Sequence, residues 1–182
     1  MSVLYDQPVL TIPVGPDDHV DGPSTAPVTL LEYGDYECPF CGAAYESIEQ
    51  LRRVLADDVR FAYRHFPLTQ IHPHAFAAAE AAEAAGAQGR FWEMHHMLFT
   101  HQDRLAPTDL NAYARAIGLD LARFTRELSD QTYAAVVRGH FMSGVRSGVN
   151  GTPTFFINGY RHNGGYDVPS LFGALTAAIS SS

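Results

Sequence analysis

Lysine is absent from this chain of 182 residues: all twelve basic side chains are arginine, set against twenty acidic ones, for a formal net charge of −8. That balance, with no basic cluster, argues against nucleic acid as a main partner. Arginine in place of lysine, beside abundant alanine, reflects codon bias rather than mechanism. Long apolar runs are missing too. No stretch reaches the roughly 18 uninterrupted apolar residues of a membrane-crossing helix, so no span is expected. The opening stretch, Met1 to Pro8, lacks the basic start and apolar centre of a secretory signal. As written, the sequence reads as cytoplasmic; a trimmed export signal would make it periplasmic or extracellular. Neither an internal repeat nor a low-complexity segment stands out. What is present is 46% apolar residues, enough for one sizeable core or for a core with a helical insertion.

Cysteine is the scarcest informative residue, and its two copies fall together in Cys38-Pro39-Phe40-Cys41. They sit where an apolar strand-like run, Val28 to Gly34, gives way to an amphipathic helix. A thiolate at a helix start faces unpaired backbone N–H groups and the positive end of the helix dipole, which lowers its pKa from the roughly 8.5 of a free cysteine. Cys38 is the expected nucleophile. Cys41, one turn on, is the expected resolving thiol. Zinc would need four ligands, and with no second cysteine pair two histidines among His72, His74, His95, His96 and His101 would have to complete the site. A structural disulfide would close a very short loop and restrict the unfolded chain little. The expectation is therefore a redox pair, with no metal and no cofactor.

Along the chain, residues 1–27 form a Pro-, Gly- and Asp-rich arm with one candidate edge strand at Val9–Val14. Val28–Gly34 and Arg60–Phe66 read as strands, separated by a helix with Ala44, Ile48, Leu51 and Leu55 on one face. Strand, helix, strand makes a right-handed βαβ unit with the dithiol at the carboxyl end of its first strand. Residues 74–148 show only helical patterns. One runs from Ala75 to Gly86 and a second includes Phe91, Met94, His95 and Leu98. Thr108 and Asp120 are candidate caps for the next two, and a last runs from about Asp130. Thr154–Ile157, Asn158-Gly159 and Tyr160–His162 spell a hairpin, and a final helix starts behind Asp167.

Gly151-Thr152-Pro153-Thr154-Phe155 adds a proline at a strand entrance. Together with a C-x-x-C motif after a strand, with His65-Phe66-Pro67-Leu68, His72-Pro73-His74-Ala75 and Gln88-Gly89-Arg90-Phe91-Trp92, the chain resembles the DsbA-like thiol oxidoreductases of the thioredoxin superfamily. The resemblance covers nearly all of it. It implies an α/β, thioredoxin-like fold (residues 28–73 and 149–182) carrying an inserted all-helical domain (residues 74–148). It also implies a cis-proline at Pro153 beside the disulfide, and Thr152 offering its backbone to a substrate strand. Glu32 would be a buried acid that takes and returns the proton of Cys41. From periodicity alone, Glu32 reads instead as a solvated strand carboxylate. Pro39, Phe40, Tyr36 and Tyr33 would supply an apolar rim for polypeptide thiol or disulfide substrates, and a recycling partner is implied. Phe40 cannot donate a hydrogen bond to a thiolate as the histidine of Cys-Pro-His-Cys does. The expected couple is thus less oxidising than the strongest DsbA proteins, between about −270 and about −120 mV. His65, His72 and His74 read as packing or capping residues. Two rival readings are a redox-inert chaperone or binding module and a glutathione-transferase or isomerase-like enzyme on the same architecture.

Overall fold

The computed structural model describes residues 8–182. Its centre is a five-stranded sheet in the order β1-β3-β2-β4-β5. β2 (Val28–Gly34) and β3 (Val59–His65) run parallel and are joined by α1 (Pro39–Val54). β4 (Thr154–Ile157) lies antiparallel to β2 on its other side and continues into β5 (Tyr160–His162). β1 (His19–Asp21) pairs antiparallel with β3. Between β3 and β4 come five helices: α2 (Ala75–Gly86), α3 (Phe91–Thr100), α4 (Pro107–Ala116), α5 (Leu121–Ser129) and α6 (Ala134–Arg146). α7 (Val168–Ile179) closes the chain, capped by Asp167, whose side chain accepts from Ser170 N at 3.0 Å. This is the expected α/β thioredoxin-like fold with an all-helical insertion.

Successive side chains of a strand point to opposite faces, and β2 divides accordingly. Val28 and Leu30 join Phe61, Tyr63 and Phe155 in the core shared with α1, α7 and the insertion. Leu31 and Tyr33 join Ala62, Phe66 and Phe156 on the opposite face. Glu32 belongs, by alternation, to the first face, the one beneath the cysteines.

Three sequence readings change at element ends. The stretch Val9–Val14 makes a single bridge, Val9 to Tyr160, while the edge strand is β1. Pro13 removes a ladder donor from that stretch, whose Leu10 N donates to Gly159 O at 2.8 Å. The arm is held instead by buried Arg64, whose guanidinium donates to both Asp18 carboxylate oxygens at 2.7 and 2.8 Å and to the carbonyls of Ile12 and Pro13. α4 begins at Pro107, ahead of the expected Thr108 cap. Proline presets the first helical φ, and Asp109 reaches back to Ala106 N at 3.2 Å. α6 starts at Ala134 rather than near Asp130 because Gln131 takes a positive φ of 51°.

α6 meets the sheet face closely at Gly144, where an added Cβ would lie 2.8 Å from the Phe66 ring and 3.1 Å from that of Tyr33. Ser143, next to it, shares a 2.8 Å hydrogen bond with Tyr33 Oη. Gly144→Ala is expected to overpack this contact and lower unfolding free energy by about 1–3 kcal/mol, despite alanine's better helix propensity; chemical denaturation checks it.

Candidate active site

β2 delivers the chain to a turn at Asp35, Tyr36 and Glu37, after which Cys38 takes the N-cap position of α1 in an extended conformation and Pro39 starts the helix. Pro39 has no N–H to leave unsatisfied there. Cys38 and Cys41 are free thiols, 3.8 Å apart, and both are buried by surface area. The Thr152–Pro153 bond is cis, and Thr152 O lies 3.5 Å from Cys38 Sγ. Asp35 N donates to Cys41 Sγ at 3.4 Å. The structure thus brings Cys38, Cys41, Thr152 and Pro153 to one place from opposite ends of the chain.

The two sulfurs differ sharply in acidity. The Cys41 thiol donates to Cys38 and, against the opposing effect of burial, lowers the Cys38 pKa to about 5. Thr152 adds to the lowering, as do the backbone N–H groups of Cys41 and Phe40. Cys41 moves the other way. Burial, its hydrogen bond to Cys38 and the nearby Glu32 carboxylate push it well above an ordinary thiol. The pair is therefore built as one thiolate and one thiol that share a proton across a short gap.

Glu32 is 1% exposed and its Oε1 has no hydrogen-bond partner among the described residues. The periodicity reading of a solvated carboxylate fails because Glu32 lies on the central strand, in register with Tyr63 on one side and Phe155 on the other. Burial, and then the charge on Cys38, raise its pKa to about 8. Gly34 makes room for this arrangement: a Cβ there would sit 2.6 Å from the Tyr63 ring and 2.9 Å from Glu32 Oε1.

The rim differs from the expected one. Phe40 is 61% exposed and Pro39 is exposed, so both are free to meet a substrate. Tyr36, expected beside them, is 1% exposed. Its ring packs on Tyr63 and Phe99, and its hydroxyl pairs with His95 Nδ1 at 2.9 Å, which satisfies the one polar atom that would otherwise keep it at the surface. Tyr33 is buried on the opposite sheet face, its hydroxyl between Ser143 and Arg64. Neither tyrosine lines a rim.

Two residues that shape the turn were not among the sequence candidates. The Asp35 carboxylate accepts from Glu37 N, Leu68 N and the His72 ring at 2.7 to 2.8 Å, tying the cysteine turn to the loop after β3. Its bond to the N–H two residues on is an Asx-turn, a signal the sequence carried in an Asp ahead of a helix start. Gln102, in the turn after α3, donates through Nε2 to Tyr36 O at 2.9 Å and to Cys38 O at 2.8 Å. No local pattern marks it. His74 sits at the α2 N-cap position, where its backbone N–H and ring Nδ1 both meet the Glu37 carboxylate.

A central sheet, a helical insertion and a thiol pair facing a cis-proline define the thioredoxin class of redox proteins. Residues 15–177 match the family model described as "Thioredoxin", and the chain belongs to that family. Among solved structures, it is similar to a thioredoxin-like oxidoreductase from Silicibacter pomeroyi (27% identity, TM-score 0.81, covering 92% of this chain and 95% of that one). It also superposes on oxidised BdbD from Bacillus subtilis (22% identity, TM-score 0.82, covering 90% and 93%). Among curated proteins, it is 50% identical over 174 residues to "Na(+)/H(+) antiporter NhaA 1" of Salinispora arenicola, covering 94% of this chain and 26% of that protein. A match to "Na(+)/H(+) antiporter NhaA 1" of Mycolicibacterium gilvum is 46% identical over 168 residues, covering 91% of this chain and 27% of the relative. The chain thus spans about a quarter of the length of these curated relatives. Among the described residues, no helix is long and apolar enough to cross a membrane.

The raised Glu32 pKa sets a pH dependence. In the unfolded chain the carboxyl ionises near 4.5, while in the fold it stays protonated to about 8. A group raised in this way favours the fold fully below the unfolded value, and that contribution is lost as pH rises through about 8. Glu32→Gln is therefore expected to stabilise the protein on the order of 4 kcal/mol at pH 9 and by little at pH 4, as urea titrations at the two pH values would show.

Proposed function

We propose that this chain is a thiol–disulfide oxidoreductase that exchanges disulfides with polypeptide thiols through Cys38 and Cys41. The observation that carries the proposal is the opposed acidity of two free thiols 3.8 Å apart, one exchange-ready and one held in reserve. Exchange proceeds by thiolate attack on a disulfide sulfur, and at pH 7 a thiol with a pKa of about 5 is nearly all thiolate.

In the reducing direction, Cys38 Sγ attacks a substrate disulfide; one substrate sulfur leaves as thiolate and a mixed disulfide forms. The mixed disulfide removes the Cys38 charge that helps to raise Glu32; the ionised fraction of Glu32 takes the Cys41 proton, Cys41 attacks Cys38 Sγ, and the second substrate sulfur leaves. The substrate has gained two electrons and the protein holds a disulfide. In the oxidising direction the steps run in reverse: a substrate thiolate attacks Cys38 Sγ of the disulfide, Cys41 leaves and takes its proton from Glu32, and a second substrate thiolate displaces Cys38. The Thr152 carbonyl, 3.5 Å from the reacting sulfur, supports a part for this residue in capturing an extended peptide by β-type pairing. Exposed Phe40 gives such a peptide an apolar contact.

The low Cys38 pKa favours the oxidising direction, because a stabilised thiolate stabilises the reduced protein. The value of about 5 falls between the roughly 7 of thioredoxin and the roughly 3.5 of DsbA, which supports an intermediate potential and work in an oxidising compartment with a separate recycling partner. We read the matched quarter of the antiporter relatives as a thiol-exchange module of those longer proteins. Ion transport is not assigned to the residues described here.

Cys38→Ser is expected to abolish disulfide exchange, and Cys41→Ser to accumulate a mixed disulfide when offered a disulfide-bonded peptide, one peptide sulfur leaving as thiolate, read by mass spectrometry; full exchange by the first variant would remove the chemistry. A depressed pKa contributes stability above the unfolded thiol pKa and loses it as pH falls through about 5. The reduced form should therefore unfold at higher denaturant than the oxidised form at pH 7, with the gap narrowing as pH approaches 5.

A further inference from the structure

Away from the cysteines, four titratable side chains gather where the insertion meets the sheet: His19 on β1, His65 at the end of β3, Glu83 on α2 and His140 on α6. The buried Glu83 carboxylate is their hub. Its Oε1 lies 2.8 Å from His65 Nε2 and its Oε2 lies 3.0 Å from His19 Nε2. The His140 ring stacks on that of His65, with centroids 5.4 Å apart. One ligand atom from each of His65, Glu83 and His140 falls within 4.8 Å of the other two. His65 is 1% exposed, and its Nδ1 has no hydrogen-bond partner among the described residues. Thiol exchange uses none of these groups.

Glu83 is bound by His19 and His65, while the third imidazole, brought in from a separate helix, makes one long hydrogen bond, its Nδ1 accepting from His65 N at 3.4 Å. Two imidazoles and one carboxylate, with a position left over, form a donor set that zinc takes. We propose that His65, Glu83 and His140 bind a zinc ion. The ion takes the place of the proton shared by His65 Nε2 and Glu83 Oε1, and that proton passes to solvent. Zinc-to-ligand distances of about 2.0–2.2 Å require the three atoms to draw closer than they stand here, with His140 swinging inward. His19, its ring stacked on Phe91 at 3.6 Å, stays on Glu83 Oε2 and orients the carboxylate, as outer partners of metal ligands do. A bound ion would fasten β3, α2 and α6 to one another, and so the insertion to the sheet.

The site can be tested free of the cysteines. In a Cys38→Ser/Cys41→Ser background, zinc chloride titrated by calorimetry should bind at one ion per chain, with a buffer-dependent heat that reports proton release, and should raise the melting temperature with zinc concentration. Cobalt in its place should give ligand-field bands without thiolate charge transfer. His140→Ala should weaken binding at least ~10-fold. Glu83→Gln should do the same if it folds, and His140, only partly buried, decides the matter if it does not. His19→Ala should cost ~10–100-fold. No saturable binding in the cysteine-free protein would overturn the proposal, and so would binding that His140→Ala leaves unchanged.

Discussion

One negative charge, placed on Cys38 and withheld from its neighbours, organises the redox end of this molecule. Three acidic groups, Cys38, Cys41 and Glu32, are crowded under the first turn of α1 in surroundings with little water to screen them. Ionising all three together would be prohibitive, so the charge settles where donors converge: the Cys41 thiol, Thr152 and the two N–H groups at the helix start. The raised values of Glu32 and Cys41 are the reverse side of the same arrangement.

The surrounding fold can be understood as support for that charge. β2 carries Glu32 beneath the site and aims the chain at Cys38; Pro39 starts the helix without an orphan N–H; Thr152 arrives from the far end of the sequence through the turn before β4. The aromatic rings of Tyr36, Tyr63, His95 and Phe99 fill the space between sheet and insertion. They keep the surroundings of Glu32 dry, which is what raises its pKa.

Much of this was legible in the residues themselves. The two strands flanking α1, the insertion between β3 and β4, the Asn158-Gly159 hairpin and the caps at Asp120 and Asp167 all follow from local pattern, because each depends on neighbours within a few positions. The cysteine pair announced itself by isolation. What periodicity missed depends on contacts far apart in sequence. Glu32 looks like a surface carboxylate until β3 and β4 flank it. Tyr36 looks like a rim residue until His95, from the insertion, takes its hydroxyl. The edge strand β1 is too short to have a pattern and exists because β3 had an open side. Gln102 and the His65, Glu83 and His140 group have no sequence signal, since each is assembled from separate elements.

The contact made by Gln102 carries a consequence for ancestry as well as for chemistry. Its amide holds two carbonyls of the cysteine turn, and its Oε1 occupies the place where a side chain on Gly42 would begin, 2.1 Å from an ideal Cβ. Position 42 and position 102 therefore form a matched set across the seam between the two halves of the fold. Any lineage that grafts a foreign helical cap onto this redox frame inherits a mismatch at that seam unless both positions travel together.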